Sequence, residues 1–213
     1  MPPPLWLFTD AARLSDPLPA IAGLPRGLCG VVLRHDEATA RATLGAAVAR
    51  LCRARRLALV VAGDARLARQ LGAGLHLRGG RLPGALRPRL RHGGWITSSA
   101  HGAADLRRAR LAGAEAVFLS PAFPTASHPG GRALGAVRWA ALARGAAPTL
   151  ASAVPVPGLR VPEPRVPALG VPALRVLALG GIDALSAARL PWCCCAGAGA
   201  IGALLPPRHS VSQ

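Results

Sequence analysis

A chain of 213 residues with 51% hydrophobic and 16% charged residues is long enough for one substantial core, and this composition excludes global disorder. All 26 basic residues are arginine, and the absence of lysine excludes any mechanism that needs a lysine Schiff base or a lysine nucleophile. The net charge of +17 does not by itself predict a specific nucleic-acid partner, because the arginines are spread over helix faces without stacking aromatic residues beside them. We expect only weak, salt-sensitive binding to polyanions.

The five cysteines lack the C-x-x-C spacing of a metal site, and three of them are consecutive, at 193–195. We expect them to be small, buried residues of a reduced, cytoplasmic protein. The first residues show neither the basic nor the apolar region of a signal peptide. The uncharged run over 190–207 contains Gly and Pro that suit a strand and a turn, so no membrane span is predicted.

Short runs rich in Val, Ile and Leu alternate with helical Ala/Leu/Arg patterns along the chain. Strands are predicted at 5–9, 30–34, 57–62, 75–77, 95–99, 116–120, 175–180 and 193–197. Helical patterns are clearest at 38–56, 64–71, 103–112 and 134–144, and Gly72, Gly113 and Gly145 follow three of them as terminating glycines. Eight alternating units predict a single (β/α)₈ TIM barrel over residues 1–213, with a doubly wound sheet as the alternative.

The stretch 146–174 departs from this regularity, since Val-Pro recurs there five times and no helical or alternating pattern survives. Proline removes a backbone donor and disfavours helix at the preceding residue, so an extended, polyproline-like loop insertion is predicted. In a barrel, a loop from a helix to the next strand lies opposite the catalytic face. We therefore expect this insertion to be neutral for catalysis, with an interaction peptide as the alternative.

Motifs at the predicted strand ends follow a distinctive order. They are Gly63-Asp64, Leu75-His76-Leu77-Arg78, Ser99-Ala100-His101, and the loop PAFPTASHPG over 121–130. This order resembles the thiamine phosphate synthase family, including its thiazole tautomerase-like branch. That family has a strand ending in Asn-Asp, a His-Leu-Gly segment, a Ser-x-His turn and a Pro-x-Phe-Pro-Thr-x-(Ser/Thr)-(Lys/His)-Pro-Gly loop. The resemblance extends to 5–10, 33–34, 177–182 and 197–202 and so covers nearly the whole chain.

The resemblance implies a transferase that couples hydroxymethylpyrimidine pyrophosphate to a thiazole phosphate and releases pyrophosphate, with Mg²⁺ as cofactor. It implies that Asp64 is the metal ligand and that Arg34, Ser99 and His128 act on the reacting groups. From the residues alone, Asp64 is equally well explained as the cap of the helix that follows it. His101 is either a site residue or a structural histidine, and His76 is expected to contribute to packing.

The resemblance also implies a cradle for the thiazole phosphate after the last two strands, where barrels commonly bind phosphate through backbone N–H groups. The residues of this cradle are Gly180, Gly181, Gly199, Ala200, Ile201 and Gly202. The implied partners are these two small molecules, without a specific nucleic acid or a membrane, and the sequence indicates no oligomeric state.

The chain departs from the family pattern at three strand ends. Arg-x-Lys reads Arg34-His35-Asp36, Asn-Asp reads Gly63-Asp64, and Gly79 and Gly80 follow Arg78 where an acidic metal ligand is expected. Arg78 is a candidate for supplying the lost positive charge, and Asp36 is a candidate for binding the metal. These departures predict slow or altered catalysis and leave two alternatives: a thiazole tautomerase-like enzyme, and a non-catalytic regulator that binds a phosphate ligand.

Overall fold

The computed structural model describes residues 2–36, 38–81, 94–125, 130–146 and 174–201, and within them eight parallel strands close into a barrel in sequence order. The strands are β1 (Leu5–Phe8), β2 (Cys29–Leu33), β3 (Ala58–Ala62), β4 (Gly74–Leu77), β5 (Ile96–Ala100), β6 (Ala116–Leu119), β7 (Arg175–Leu179) and β8 (Ala198–Ala200). The helices are α1 (Leu18–Gly23), α2 (Ala38–Arg55), α3 (Ala65–Leu71), α4 (Ala103–Leu111), α5 (Gly135–Ala146) and α6 (Ala184–Ala187). The predicted TIM barrel is confirmed, and almost all of the Pro-rich insertion lies outside the described residues.

The eighth strand begins later than predicted. Cys193 and Cys194 lie in a turn, because the carbonyl of Pro191 accepts the N–H groups of Cys194 and Cys195 at 2.9 and 3.1 Å. The strand itself is Ala198–Ala200, which pairs with both β1 and β7. The prediction of a strand at 193–197 is therefore wrong, since the two neighbouring strands select the small residues that follow the cysteines.

Two of the predicted helix ends are confirmed and one is wrong. Gly72 has a left-handed conformation (φ 62°) at the end of α3, and Gly113 (φ 78°) follows α4. Gly145 instead lies inside α5, which continues to Ala146. The short helices α1 and α6 have too few residues for a helical period to show in the sequence.

The barrel interior is packed around aromatic side chains. Phe118 makes edge-to-face contacts with Trp6 and Phe8, with ring centroids 5.6 and 4.8 Å apart. Aliphatic residues complete this layer: Val32, Val60, Ala62, Ala116 and Leu177. Ala, Leu and Val dominate the layer between strands and helices, whereas the barrel interior combines five such residues with three aromatic side chains.

The helix α5 is fixed against the outside of the barrel by a tryptophan. Trp139 of α5 is fully buried, and its indole N–H donates to the carbonyl of Leu119 at 3.0 Å, which fixes α5 against β6. In the described ranges, no helix combines the length and the apolar character needed to cross a bilayer.

Candidate active site

The carboxyl ends of β2 to β5 bring four of the sequence motifs to one rim of the barrel. Arg34 follows β2, Asp64 lies two residues after β3, Arg78 follows β4, and Ser99 is the next-to-last residue of β5. Since the strands are parallel and hydrogen-bonded in this order, their ends lie side by side. Active sites of (β/α)₈ barrels are built at this end of the strands.

The guanidinium of Arg34 has no partner among the residues that the structure describes. Its backbone N–H donates to the hydroxyl of the buried Thr9 at 2.9 Å, which fixes the start of its side chain. The guanidinium is exposed and forms no hydrogen bond or ion pair with any other residue that the structure describes. Its planar set of donors is therefore open to a phosphate or carboxylate ligand.

Asp64 is the N-cap of α3. Its Oδ1 accepts the backbone N–H of Leu67 at 2.9 Å, so the capping interpretation from the sequence is correct as a description of the contact. The other carboxylate oxygen has no hydrogen-bond partner among the described residues, and the side chain is partly exposed. Capping therefore leaves one oxygen open to a cation.

An ion pair spans the ends of β2, β3 and β4. The Nη2 atom of Arg78 lies 2.6 and 2.7 Å from the two carboxylate oxygens of Asp36. Arg41 of α2 lies 3.3 Å from Asp36 and also donates to the carbonyl of Ala62 at 2.5 Å. Asp36 is thus held between two guanidinium groups at the barrel mouth.

Gly63 provides the room for this arrangement. It has a left-handed conformation (φ 70°), and a Cβ at this position would lie 3.2 Å from Nε of Arg78. The side chain of Arg78 therefore passes directly over Gly63 on its way to Asp36. The sequence identified the three residues separately and did not predict that they form one cluster.

Two hydroxyl groups of β5 hold the loop after β4. The Oγ atom of Ser99 accepts the N–H of Gly79 at 3.0 Å, and Oγ of Ser98 accepts the N–H of Gly80 at 2.9 Å. Ser98 was not expected to take part, since its contact depends on the pairing of β4 with β5. The hydroxyl of Ser99 accepts this bond and keeps its own proton for donation to a ligand.

His76 lies inside the barrel and not at the open mouth. Its Nδ1 is 2.9 Å from Oγ1 of Thr97, and its ring contacts Phe8 and Phe118. Burial, with smaller contributions from the charges of Arg34 and Arg78, lowers its pKa to about 3. The imidazole is therefore neutral near pH 7, in agreement with the expectation that it contributes to packing.

His101 connects the ends of β5 and β6. Its Nδ1 lies 3.0 Å from the carbonyl oxygen of Ser120, and its backbone N–H donates to Asp105 at 2.8 Å. These contacts match the structural role left open by the sequence. His128, the remaining predicted catalytic residue, lies outside the described residues.

His35 is a buried residue of this rim that the motifs did not single out. Its Nδ1 lies 3.0 Å from Oγ1 of Thr9, and 8% of the residue is exposed. Its buried Nε2 has no hydrogen-bond partner in the part of the chain that the structure describes. Buried polar atoms without a partner are uncommon, yet no sequence pattern distinguished His35 from a solvated strand-end residue.

The glycines proposed for the thiazole phosphate are closely packed. Gly180 and Gly181 adopt φ angles of 87° and 66° after β7, and a Cβ on Gly181 would lie 2.7 Å from the carbonyl oxygen of Phe123. The N–H of Phe123 in turn donates to the carbonyl of Gly180 at 3.0 Å. This pair of glycines therefore fixes the loop after β6 as well as bordering the barrel mouth.

The cradle residues expected after the last strand lie partly within that strand. Gly199 and Ala200 lie in β8, and a Cβ on Gly199 would lie 2.7 Å from Cε2 of Phe8. Ile201 follows the strand, and Gly202 is outside the described residues. Gly199 is thus required by the packing of the barrel interior.

The short helix α6 has an acidic N-terminus. Asp183 caps it, because its Oδ1 accepts the backbone N–H of Ser186 at 2.7 Å. Hydrogen bonds from the backbone and, less strongly, from the side chain of Ser186 lower the pKa of the Asp183 carboxyl group. A carboxylate at this position occupies the helix end at which an anion would otherwise be attracted.

The carboxylates of the rim offer a limited site for Mg²⁺. Among the residues described, no group of three or more His, Cys, Asp and Glu side chains could enclose a metal ion. Asp36 is neutralised by arginines, and Asp64 keeps one open oxygen. Mg²⁺ commonly binds through one or two carboxylates together with substrate phosphates and water, and Asp64 fits that mode.

Solved structures of similar shape support the barrel assignment. A thiamine phosphate pyrophosphorylase from Pyrococcus furiosus superposes with a TM-score of 0.66 at 19% identity, covering 92% of this chain and 84% of that one. A structure described as native KDPGal gives 0.58 at 15% identity, covering 97% and 86%. A designed cube-shaped, highly porous protein cage made by fusing symmetric oligomeric domains gives 0.58 at 14%, covering 93% and 63%. At these identities the likeness shows the fold.

No curated protein matches the sequence. The family model described as thiamine monophosphate synthase matches residues 20–204, which include every described strand except β1 and the whole rim from Arg34 to Ser99. The chain therefore belongs to the thiamine monophosphate synthase family.

Proposed function

We propose that this protein is a transferase that couples hydroxymethylpyrimidine pyrophosphate to a thiazole phosphate and releases pyrophosphate. Family membership and the fold support a function of the thiamine phosphate synthase type. The observation that carries the specific reaction is the placement of Arg34, Asp64 and Ser99 at the ends of β2, β3 and β5 on one rim, where their free donors and acceptor oxygen are available to a ligand.

The proposed reaction makes clear demands on the site. The C–O bond between the pyrimidine methylene and the pyrophosphate breaks, and its electron pair leaves with the pyrophosphate. The thiazole nitrogen then forms the new C–N bond to the methylene carbon. Negative charge grows on the leaving oxygens, so donors aimed at those oxygens lower the barrier.

Arg34 is the best-placed residue for this task, because its guanidinium is exposed and unpaired within the described structure. The hydroxyl of Ser99 has a proton to donate to a phosphate oxygen. Mg²⁺, when bound by the open oxygen of Asp64 and by phosphate oxygens, would offset further charge on the leaving group. No step requires lysine, which the chain lacks.

A thiazole tautomerase-like activity is the second candidate, and one observation favours it. Asp36 lies at the rim next to Arg78, and its carboxylate opposes binding of a highly charged pyrophosphate. Proton transfer on a thiazole phosphate needs fewer cationic groups than departure of pyrophosphate does. The two reactions differ in whether the pyrimidine substrate is consumed.

Purified protein with both substrates and Mg²⁺ tests the proposal through formation of thiamine phosphate and release of pyrophosphate. We expect Arg34→Met to lower kcat/KM on the order of 10²-fold or more, as removal of one transition-state donor does. Arg50→Met is a matched control, since Arg50 is exposed on α2 about 18 Å along the helix from its first residue. Absence of thiamine phosphate from folded protein, beside an active reference enzyme, contradicts the transferase. Conversion of the thiazole phosphate tautomer without the pyrimidine substrate then supports the second candidate.

A further inference from the structure

The cluster formed by Asp36, Gly63 and Arg78 places a second guanidinium at the same rim as Arg34. Arg78 extends from the end of β4 across Gly63 to Asp36, which follows β2. The guanidinium of Arg78 therefore lies near the end of β2, beside Asp36, which is two residues after Arg34 in the sequence. An exposed fraction of 57% for the side chain of Arg78 shows that a ligand can reach it.

The contact between Arg78 and Asp36 is one that a strong anion can replace. Asp36 is also about half exposed, at 52%, and water weakens the attraction between exposed charges. Only Nη2 of Arg78 contacts Asp36 in the described structure, while Nη1 and Nε have no hydrogen-bond partner there. A pyrophosphate carries more negative charge than a carboxylate and can accept from several guanidinium donors at once.

Both arginines, Arg34 and Arg78, also lie close enough to the interior His76 for their charges to contribute, after burial, to lowering its pKa. The ring of His76 lies in the barrel interior beneath the rim. Arg41, the other partner of Asp36, is held in place by a hydrogen bond to the carbonyl of Ala62. Of the two arginines on Asp36, Arg78 is the one that is free to turn toward a ligand in the mouth.

We propose that Arg78 is a second pyrophosphate-binding residue, and that Asp36 pairs with its guanidinium in the free protein and competes with pyrophosphate for it. Gly63 permits this path because a larger side chain would press on Nε of Arg78. The inference deepens the proposed transferase function, on which it rests for the identity of the natural ligand. It assigns to the pyrophosphate site a positively charged side chain from the end of β4.

Calorimetric titration with inorganic pyrophosphate at fixed Mg²⁺ tests the proposal on the full chain. We expect Arg78→Met to weaken pyrophosphate binding about tenfold or more, as loss of a charge-assisted pair does. Arg50→Met should leave the affinity within about twofold, and Asp36→Asn should tighten binding because it removes a competing carboxylate. If Arg78→Met does not fold, Arg78→Gln provides the same loss of charge with a polar side chain.

The double variant Asp36→Asn/Arg78→Met separates binding by Arg78 from simple screening of Asp36. If Arg78 only neutralises Asp36, then Arg78→Met has no effect once Asp36 is replaced, the double variant binds pyrophosphate as tightly as Asp36→Asn does, and the proposal is overturned. If Arg78 contacts pyrophosphate, the double variant binds it more weakly than Asp36→Asn does, which supports the proposal.

Turnover distinguishes this inference from the proposed function. Pyrophosphate binding that depends on Arg78, without formation of thiamine phosphate, supports the inference while the transferase proposal fails. Formation of thiamine phosphate at equal rates and affinities with and without Arg78 overturns the inference and leaves the transferase proposal standing. Absence of pyrophosphate binding to the unmodified protein overturns the inference.

Discussion

Trp6 occupies the space above Gly30 inside the barrel. The two residues are paired across β1 and β2, and a Cβ at residue 30 would lie 2.5 Å from Cδ2 and Cζ3 of the indole. Trp6 is fully buried, and its indole N–H donates to the carbonyl of Pro3 at 2.7 Å, so the ring has little freedom to move away. The aromatic interior of the barrel therefore depends on the absence of a side chain at residue 30.

We expect Gly30→Ala to lower the free energy of unfolding by about 1–3 kcal/mol, the usual cost of overpacking a core. Gly23→Ala is the matched control, because no atom lies within 4 Å of a Cβ at that position. Urea unfolding measures both: the midpoint should fall only for Gly30→Ala, with unchanged slope. Equal midpoints for the two variants would show that the indole moves at no cost.

The architecture could be predicted from the sequence because most strands are bounded by local signals. Branched apolar runs ending in Gly, Pro or polar residues located β1 to β7, and the alternation with helices implied parallel pairing. The last strand could not be located in this way. Its residues, Ala198–Ala200, are too small to show a strand pattern, and their pairing is decided by closure between β1 and β7.

The candidate site was predictable only as far as single positions. The motifs placed Arg34, Asp64 and Ser99 at strand ends, and the structure brings these ends together. The pairing of Arg78 with Asp36 depends on the lateral distance between strands that are separated in sequence, which no local pattern records. The packing of Gly199 against Phe8 has the same origin, so a bulky residue at 199 tests core packing and cannot by itself test phosphate binding.

Gly181→Ala should destabilise the protein by more than about 1 kcal/mol, because it combines a left-handed backbone (φ 66°) with a close approach to the carbonyl of Phe123. Gly145→Ala is the opposite case: the residue is exposed inside α5, where alanine is favoured over glycine by up to about 1 kcal/mol. Thermal unfolding should therefore show a lower midpoint for the first variant and an equal or higher one for the second. A stable Gly181→Ala protein would contradict the role of this residue in holding the loop after β6.

Acidification should destabilise the fold through His76. The unfolded imidazole takes up a proton near pH 6.5, whereas the pKa in the folded state is lowered to about 3, chiefly by burial. The unfolded state therefore binds more protons between these values, and the free energy of unfolding falls as the pH decreases through this window. The contribution is at most about 3 kcal/mol between pH 7 and pH 4.5.

We expect His76→Gln to show a shallower pH dependence in this range, and the ring signals of His76 in NMR spectra to stay unchanged to pH 4.5. Titration of His76 near pH 6.5 would contradict its burial.

Thiol reactivity should separate the cysteines, contrary to the expectation that all are buried. Cys193 is exposed, whereas burial raises the pKa of the Cys52 thiol to about 12 and also raises the pKa values of Cys29 and Cys195. Because the thiolate is the reacting form, a charged thiol reagent should label Cys193 first in the native protein. Cys193→Ser should remove this fast phase, and peptide mapping identifies the labelled residue. Fast labelling of Cys52 in the folded protein would be inconsistent with its burial on the face of α2 that packs into the core.

The two roles of Asp64 can be separated with a pair of substitutions. Asparagine caps helices about as well as aspartate, so Asp64→Asn should keep the bond to Leu67 and leave stability within about 0.5 kcal/mol. It removes the carboxylate charge, however, and should weaken pyrophosphate binding in the presence of Mg²⁺ by about tenfold or more. Asp64→Ala should lose both properties, with a stability cost of about 1 kcal/mol.

Asp183→Ala removes a comparable cap from α6 and is the control for capping alone, with pyrophosphate affinity unchanged. Calorimetric titrations with and without Mg²⁺, combined with urea unfolding, give both quantities for each variant. If Asp64→Asn binds Mg²⁺-pyrophosphate as tightly as the unmodified protein does, Asp64 is only a helix cap, and the metal has no protein ligand at the end of β3.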